Sequence, residues 1–358
     1  MTARRLRVML LFGGQSAEHD VSRVTAVSVA RALDPEKYDV LPVGITTDGH
    51  WVVAADAQRM LESGARDALP SAFDVAGDAL PVPTVATRDS LAVDVVIPLL
   101  HGPYGEDGTV QGLLELAGLP YVGAGVLGSA IGMDKIAMKR LFAAASLPTP
   151  RFVAYRDGHD LEAFCRRAQE ELAFPCFVKP ANMGSSVGVS KARDAQQLRD
   201  AVVLAARYDE WVMVEEFIRG REIETAVLGD DPPEVSVPGE VIPAADFYDY
   251  ADKYEDGKVQ LVVPAALDEA QTAEVRELAR RAFEACRCEA MARVDFFLRD
   301  DGAFLVNELN TIPGFTPGSM YPMMWEASGL PYPALIDRLI DLALARAERR
   351  AARRGTQR

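Results

Sequence analysis

The chain begins with an unbroken apolar run over residues 8–12, closed by Gly13-Gly14, after which Val21, Val24, Val27, Ala30 and Leu33 recur at helical spacing. That order predicts a strand, a glycine turn and a helix ending near Asp34-Pro35. Such a junction aims the unpaired N–H groups of the helix start at the space above the sheet edge, which favours a carboxylate or phosphate there. A second strand is predicted over 40–45, and an Asp48-Gly49 turn leads into a short strand at Trp51, Val52 and Val53. Residues 56–90 are rich in Ala, Asp and Pro and carry the weakest pattern. A buried strand over 93–100 then runs into the glycine-rich loop HGPYGEDGTVQG and a short helix. This alternation predicts an α/β domain.

After Met133-Asp134-Lys135 a helix is predicted to about residue 145, and Leu147-Pro148-Thr149-Pro150 breaks it where a new domain begins. Strands follow over 174–179 and 187–190, joined by the loop ANMGSS, and then over 211–217 (WVMVEEF), where Arg219-Gly220 turns the chain into REIETAVLG. The aromatic, acidic stretch 244–260 reads as a lid or binding loop within a compact region. Asp268 caps a helix with Gln271 at its third position, and Val275, Leu278, Ala279, Ala282 and Phe283 form that helix's buried stripe. A last helix from Pro333 turns Leu335, Ile336, Leu339 and Ile340 inward and ends in an Arg-rich tail, whose charge suits a helix C-terminus without further function.

Two apolar runs, 292–298 and 303–309, flank an Asp301-Gly302 signal for a two-residue hairpin turn. Counting back from that turn places Asp295 opposite Glu308 and Arg293 opposite Asn310, all on one face, with Ala292, Val294, Phe296 and Leu298 on the other. Directly opposed carboxylates repel, so a cation belongs between them. Two carboxylates and an amide oxygen suit magnesium, which completes its shell with substrate phosphates and water. The competing reading is an exposed hairpin whose charges are solvated.

The composition narrows the partners. A chain of 358 residues, 49% hydrophobic and 25% charged, is ordinary for a globular protein of two or three domains. A formal net charge of -15 argues against a nucleic-acid or anionic-membrane surface, so phosphates would need dedicated lysines. Cys165, Cys176, Cys286 and Cys288 lack zinc-ligand spacing and read as reduced thiols. The apolar run near the N-terminus is too short for a secretion signal and no stretch approaches the roughly 20 residues of a membrane span, so the cytoplasm is the expected location. Gly123, Gly125 and Gly128 spell GxGxxG, but the string lies far from the first βαβ unit and no acid follows at the distance a ribose needs, which makes a turn at a domain junction the better reading. The loop after Lys179 is not a Walker-type P-loop, although its amides and hydroxyls suit phosphates.

Several motifs, in collinear order over nearly the whole chain, resemble the D-alanine:D-alanine ligase family of ATP-grasp enzymes. They are Glu18 within GGQSAEHDVS, HGPYGEDG at 101–108, MDK at 133–135, KPANMGSSVGVSK at 179–191, YDYADKY at 248–254, RVD at 293–295 and NELNTIPGFTPGSMYP at 307–322. The resemblance is weakest over 54–90, and Asp20 stands where the family more often has Glu. It implies a mixed α/β (α+β), three-domain ATP-grasp fold: an N-terminal Rossmann-like α/β domain (1–132), a central ATP-grasp domain (133–217) and a C-terminal ATP-grasp domain (218–358).

The same resemblance assigns roles. Lys135 and Lys179 hold the α- and β-phosphates, Lys253 approaches the γ-phosphate, and Ser185 and Ser186 lie in the phosphate loop. Glu215 and the backbone of Phe217 and Ile218 meet adenine, and Glu222 the ribose. Asp295, Glu308 and Asn310 hold Mg2+, two ions with Mn2+ as a substitute. Glu18 pairs with the ammonium of the first D-alanine and His101 with its carboxylate region. Arg293 and the amide of Gly314 form the oxyanion hole, while Ser319 and Met320 hold the second substrate's carboxylate. Glu18, Ser185 and Tyr254 form a hydrogen-bonded trio that excludes water. Tyr254 and Met320 point to D-alanine as acceptor, against D-lactate or D-serine in related ligases. A nucleotide-binding protein without catalysis would be expected to lack a phosphate lysine or metal ligand, and all are present in the sequence. The partners implied are small molecules, with no nucleic acid and no membrane, and the family's usual assembly is a homodimer.

Overall fold

The computed structural model describes residues 4–64, 66–84, 91–242 and 259–355, which form three sheets. The stretch expected to be a lid lies outside them except for residues 259 and 260, so Lys253 and Tyr254 are not described.

The first sheet holds β1 (Leu6–Gly13), β2 (Tyr38–Ile45), β3 (Trp51–Ala54), β4 (Gly77–Ala79) and β5 (Val95–Pro98) in the order β4-β3-β2-β1-β5. The central strand β1 runs parallel to both β2 and β5. Its residues Val8, Met9, Leu10, Leu11 and Phe12 are all fully buried, because both faces of the sheet are covered. Helix α1 (His19–Ala32) lies on one side and α3 (Thr109–Ala117) on the other, while α2 (Ala55–Glu62) occupies the stretch that carried least pattern. The buried face of α1 differs from the expected stripe: Ser22, Thr25, Ala26, Val29 and Ala30 point inward with Val27, and Val24 is exposed. A row spaced by threes drifts about 60° round a helix at each step, so its ends leave the core. Ser22 is polar but satisfied, accepting from the N–H of Gly13 at 2.8 Å and donating to the carbonyl of Leu99 at 2.5 Å.

After α4 (Val126–Met133) and α5 (Lys135–Ala144) comes an antiparallel sheet of β6 (Phe152–Arg156), β7 (Cys176–Pro180), β8 (Ser190–Ala192) and β9 (Trp211–Glu216), ordered β6-β9-β7-β8. Helices α6 (Leu161–Leu172) and α7 (Ala195–Ala205) pack on the same face, against Val178, Val212 and Val214. The alternate residues Lys179, Met213 and Glu215 therefore face the other way. Strand β8 starts later than expected, because Val187 and Val189 are held in turns to the carbonyls of Gly184 and Ser186.

The third sheet contains β10 (Gly220–Leu228), β11 (Glu234–Val235), β12 (Gly239–Ile242), β13 (Gln260–Val262), β14 (Met291–Arg299) and β15 (Phe304–Asn310), ordered β13-β12-β10-β14-β15 with β11 beside β10. Its helix α8 (Glu269–Ala285) has the full expected capping box between Asp268 and Gln271, and it buries the five expected residues. Helix α5 was expected to open the central domain. Met138 and Phe142 instead pack with α8 and β14, so most of its apolar face belongs to the third sheet. Helices α9 (Met320–Ala327) and α10 (Tyr332–Gly355) share a core with α1 and β1. The Arg-rich end of α10 works as a clamp: buried Arg346 donates to the carbonyls of Tyr121 and Gly123 at 2.6 and 2.7 Å, and Arg350 bonds Glu115 at 2.5 Å. The rejected GxGxxG string thus marks a junction between domains.

The hairpin of β14 and β15 departs from the expected turn and still reaches the expected register. Arg299 donates to the carbonyl of Ala303 and Gly302 adopts φ +85°, so the turn spans Asp300, Asp301 and Gly302 and not two residues. That offset pairs Leu298 with Phe304 and Phe296 with Val306. A bulge at Asn307 then absorbs one residue, and Asp295 meets Glu308 while Arg293 meets Asn310. The bulge reverses the phase of β15: Phe304 and Val306 point into the core before it, and Leu309 after it.

Candidate active site

The bulge gathers a polar face on the third sheet. Arg293 forks onto Asp295 with two bonds of 2.7 Å, and its Nε lies 3.1 Å from Glu224, the residue facing Asp295 on β10. Burial works against the guanidinium, but Asp295, Glu224 and Glu308 together raise its pKa well above the ordinary arginine range. The cation first required by opposed carboxylates is thus partly supplied by the chain. A carboxylate oxygen that accepts one hydrogen bond has a further lone pair for a metal, and so does an amide oxygen such as that of Asn310, which accepts from Ile312 N–H at 2.9 Å. Two carboxylates and an amide oxygen in register therefore fit magnesium in company with phosphates. Among the described residues, no group of three His, Cys, Asp or Glu is placed to hold a metal by itself.

Opposite this face stand the lysines. Lys179, at the end of β7, donates to Glu215 Oε2 at 2.7 Å, while Lys139 of α5 holds Glu215 Oε1. Burial opposes the charge on Lys179, yet Glu215, Glu308 and Glu222 raise its pKa, which shows the acidic face of the third sheet acting on the central one. Burial likewise opposes the charge on Glu215, but its two lysines lower its pKa. Lys135, one helical turn before Lys139, donates to the carbonyl of Met183 at 2.6 Å and so grips the loop after β7. Beyond the end of β9, Phe217 packs on Phe177 at 6.0 Å, with the Lys191 ammonium 3.9 Å from the Phe217 ring.

The loop itself is strained where it meets the first domain. Ser185 and Ser186 both adopt left-handed conformations, at φ +47° and +60°, which non-glycine residues seldom take. Ser185 Oγ donates to Glu18, the N-cap residue of α1. Two further buried groups adjoin. His101 hydrogen-bonds through Nδ1 to the carbonyl of Ile312 at 3.1 Å, and its Nε2 is buried with no partner among the described residues. A carbonyl only accepts, so Nδ1 carries the proton. Burial pushes the ring's pKa down against the pull of Glu18, leaving Nε2 as a free acceptor. Glu106 accepts from the N–H of Gly102 at 2.8 Å; burial and the neighbouring Glu18 push its carboxyl up to about 8.

The chain after β15 closes the site. Ile312 is tied to His101, and a Cβ placed on Gly314 would come within 3.1 Å of Ser319 Oγ, so the backbone passes the start of α9 closely. Ser319 accepts from Thr316 N–H at 3.2 Å and stands at the N-cap position of α9 without a side-chain bond to the helix. The Met320 side chain is buried in the core, so what it offers a ligand is its amide at the helix start.

The structure thus brings Glu18, Ser185, Ser186 and Lys135 together at the loop, joins Lys179 to Glu215, and sets Arg293, Asp295, Glu308 and Asn310 on one strand pair with Glu222 acting on Lys179. Lys253 and Tyr254 lie outside the described residues. Sequence reasoning passed over Lys139, Glu106 and Glu224. Lys139 carried a signal, being a lysine three residues after Ile136 and three before Phe142 on an apolar stripe. The other two lay inside segments read for their neighbours.

A Rossmann-like domain followed by two sheets that face each other across lysines and carboxylates defines the ATP-grasp class. Two family models match, D-ala D-ala ligase N-terminus over residues 7–124 and D-ala D-ala ligase C-terminus over 141–341, and the chain belongs to this family. It is 47% identical to the D-alanine--D-alanine ligase of Geobacillus thermodenitrificans over 350 residues, covering 96% of each chain. Identity to that of Geobacillus kaustophilus is 48% over 353 residues, covering 96% of this chain and 95% of the relative. Among solved structures it resembles the D-alanine-D-alanine ligase from Coxiella burnetii (TM-score 0.81, 36% identity, 98% and 97% coverage). It also resembles VanG D-Ala:D-Ser ligase from Enterococcus faecalis (TM-score 0.80, 33% identity, 95% and 100% coverage).

Proposed function

We propose that the protein uses ATP to join two D-alanines into D-alanyl-D-alanine for peptidoglycan precursor synthesis. The observation that carries this reading is the in-register pairing of Asp295 with Glu308 and Arg293 with Asn310, facing Lys179, in a chain whose curated ligase relatives match it end to end. The close structural likeness to a D-serine ligase speaks for the shared frame and not for the acceptor. Met320, buried and uncharged, supplies no cation for a serine hydroxyl.

In this reading Lys135 and Lys179 hold the α- and β-phosphates and Lys253 reaches the γ-phosphate, with Ser185 and Ser186 covering them. Adenine lies beside Phe217 and Ile218 with Glu215 behind, and Glu222 takes the ribose. Asp295, Glu308 and Asn310 hold magnesium, two ions replaceable by manganese, which would supply positive charge to the transferring phosphoryl group. The first D-alanine's carboxylate attacks the γ-phosphorus and ADP leaves; the second D-alanine's amine then attacks the acyl carbon of the acyl phosphate, forming the peptide bond and releasing inorganic phosphate and a proton. Glu18 pairs with the first ammonium. His101 serves the first substrate's carboxylate region, where its unpartnered Nε2 would have to take up a proton to donate. Arg293 and the Gly314 amide stabilise the tetrahedral oxyanion. Ser319 and the Met320 amide hold the second carboxylate, and the trio of Glu18, Ser185 and Tyr254 keeps water from the acyl phosphate.

No described helix is long and apolar enough to cross a membrane. We place the enzyme in the cytoplasm, as a homodimer divided at about residues 132 and 217. The direct test is phosphate release from ATP. It should require D-alanine and magnesium, and Glu308→Ala should abolish it. Turnover retained by that variant would remove Glu308 from the metal site.

A further inference from the structure

Lys139 has no role in the reaction as set out above, yet it is among the most deeply buried titratable groups of the protein, and burial lowers its pKa against the pull of Glu215. Its side chain is 1% exposed and that of Glu215 2%. A lysine inside a core carries a desolvation cost of several kcal/mol, and an apolar side chain of similar volume often serves packing as well or better. Its position therefore calls for an account beyond packing. The two oxygens of Glu215 are divided, Oε1 to Lys139 and Oε2 to Lys179, the second at 2.7 Å. Lys139 also lies 3.3 Å from Thr149 Oγ1, and Thr149 donates to the carbonyl of Val306 at 2.9 Å, immediately before the bulge that aims Glu308. One ammonium thus meets β9, the approach to β6 and, through a hydroxyl, β15. Two lysines share one carboxylate here. Were Lys139 absent, Glu215 and Lys179 would form a closed neutral pair, and Glu215 could turn wholly onto Lys179.

We infer that Lys139 is a positioning residue for the nucleotide: by holding one oxygen of Glu215, it leaves Lys179 with positive charge to spare for the phosphates. This rests on the reading that Lys179 and Glu215 line the nucleotide site. The group acts through Glu215 and touches no substrate.

The test is a double-mutant cycle read by calorimetric binding of ADP with magnesium, together with kinetics. K139M should bind ADP roughly tenfold or more weakly, a coupling typical of groups in one network. Its KM for ATP should rise while its KM for D-alanine stays put, a split that general loosening of the fold would not produce. K139R, which keeps the charge, should restore most of the affinity. In an E215Q background the loss of Lys139 should change ADP affinity by no more than about twofold, because there is no carboxylate left to share. That arm remains decisive if K139M alone fails to fold. A K139M protein binding ADP as the unaltered chain does, or a K139M/E215Q protein far weaker than E215Q, would overturn the inference. Absence of magnesium-dependent ADP binding by the unaltered protein would instead overturn the nucleotide-site reading itself.

Discussion

Glu106 shows how burial sets the chemistry of a single side chain at this site. Its carboxyl is raised from an ordinary value near 4.5 to about 8 by burial first and by Glu18 second. The folded state therefore holds a proton that the unfolded chain releases, and stability falls as pH rises between those two values. Glu106→Gln keeps an acceptor for the Gly102 amide and removes the titration. In the ligand-free protein the variant should match the parent below about pH 4.5, gain on it through the interval, and hold its full advantage above pH 8. Urea midpoints measured across that range check this, and a constant difference would refute it. Residues with an isolated chemical signal, such as Glu18, His101 and Lys179, were legible in the sequence through the motifs that carry them. Glu106 was not, because its pKa depends on Glu18 and on enclosure that no local pattern encodes.

At the level of elements, the β14–β15 hairpin reaches the expected pairing by a route that was not foreseen. A two-residue turn with straight pairing and a three-residue turn with one bulge give the same partners for Asp295 and Arg293. The apolar phase of FLVNELN does record the bulge, since Phe304 and Val306 occupy one parity and Leu309 the other. Reading both strands' parity, and not the turn alone, would have found it. Deleting Asn307 should give a straight ladder that keeps Glu308 opposite Asp295 and Leu309 in the core, since strict alternation after Val306 then yields the same parity. Such a protein should keep magnesium-dependent nucleotide binding; calorimetry showing that binding abolished would contradict the assignment of Asn307 as the bulged residue. The capping box of α8 and its buried stripe were fully legible because they depend on residues within one turn of each other. The stripe of α1 and the packing of α5 were not, since which face of a helix is covered depends on distant elements.

Across the whole molecule, the first and third sheets are joined through one shared core. Residues of α1 and β1 share a core with α9 and α10, and Arg346 joins the carbonyls of Tyr121 and Gly123 while its guanidinium lies 4.5 Å from the Tyr121 ring. The charge of the α10 tail suits a helix C-terminus, but its partners lie 57 to 235 residues away, beyond any local sequence pattern. Arg346→Ala strands two buried carbonyls, while Glu289 keeps Arg350, and should cost about 2–4 kcal/mol in urea unfolding; an unchanged midpoint would show the clamp to be idle. The central sheet meets this joined pair where Lys139 and Lys179 share Glu215, so the nucleotide would lie at the joint between the two. The acceptor is the point on which the whole account turns. In one reaction containing ATP, magnesium and equal concentrations of D-alanine, D-lactate and D-serine at neutral pH, D-alanyl-D-alanine should be the dominant product by mass. Dominance of the D-lactate depsipeptide or of D-alanyl-D-serine would contradict the proposed function.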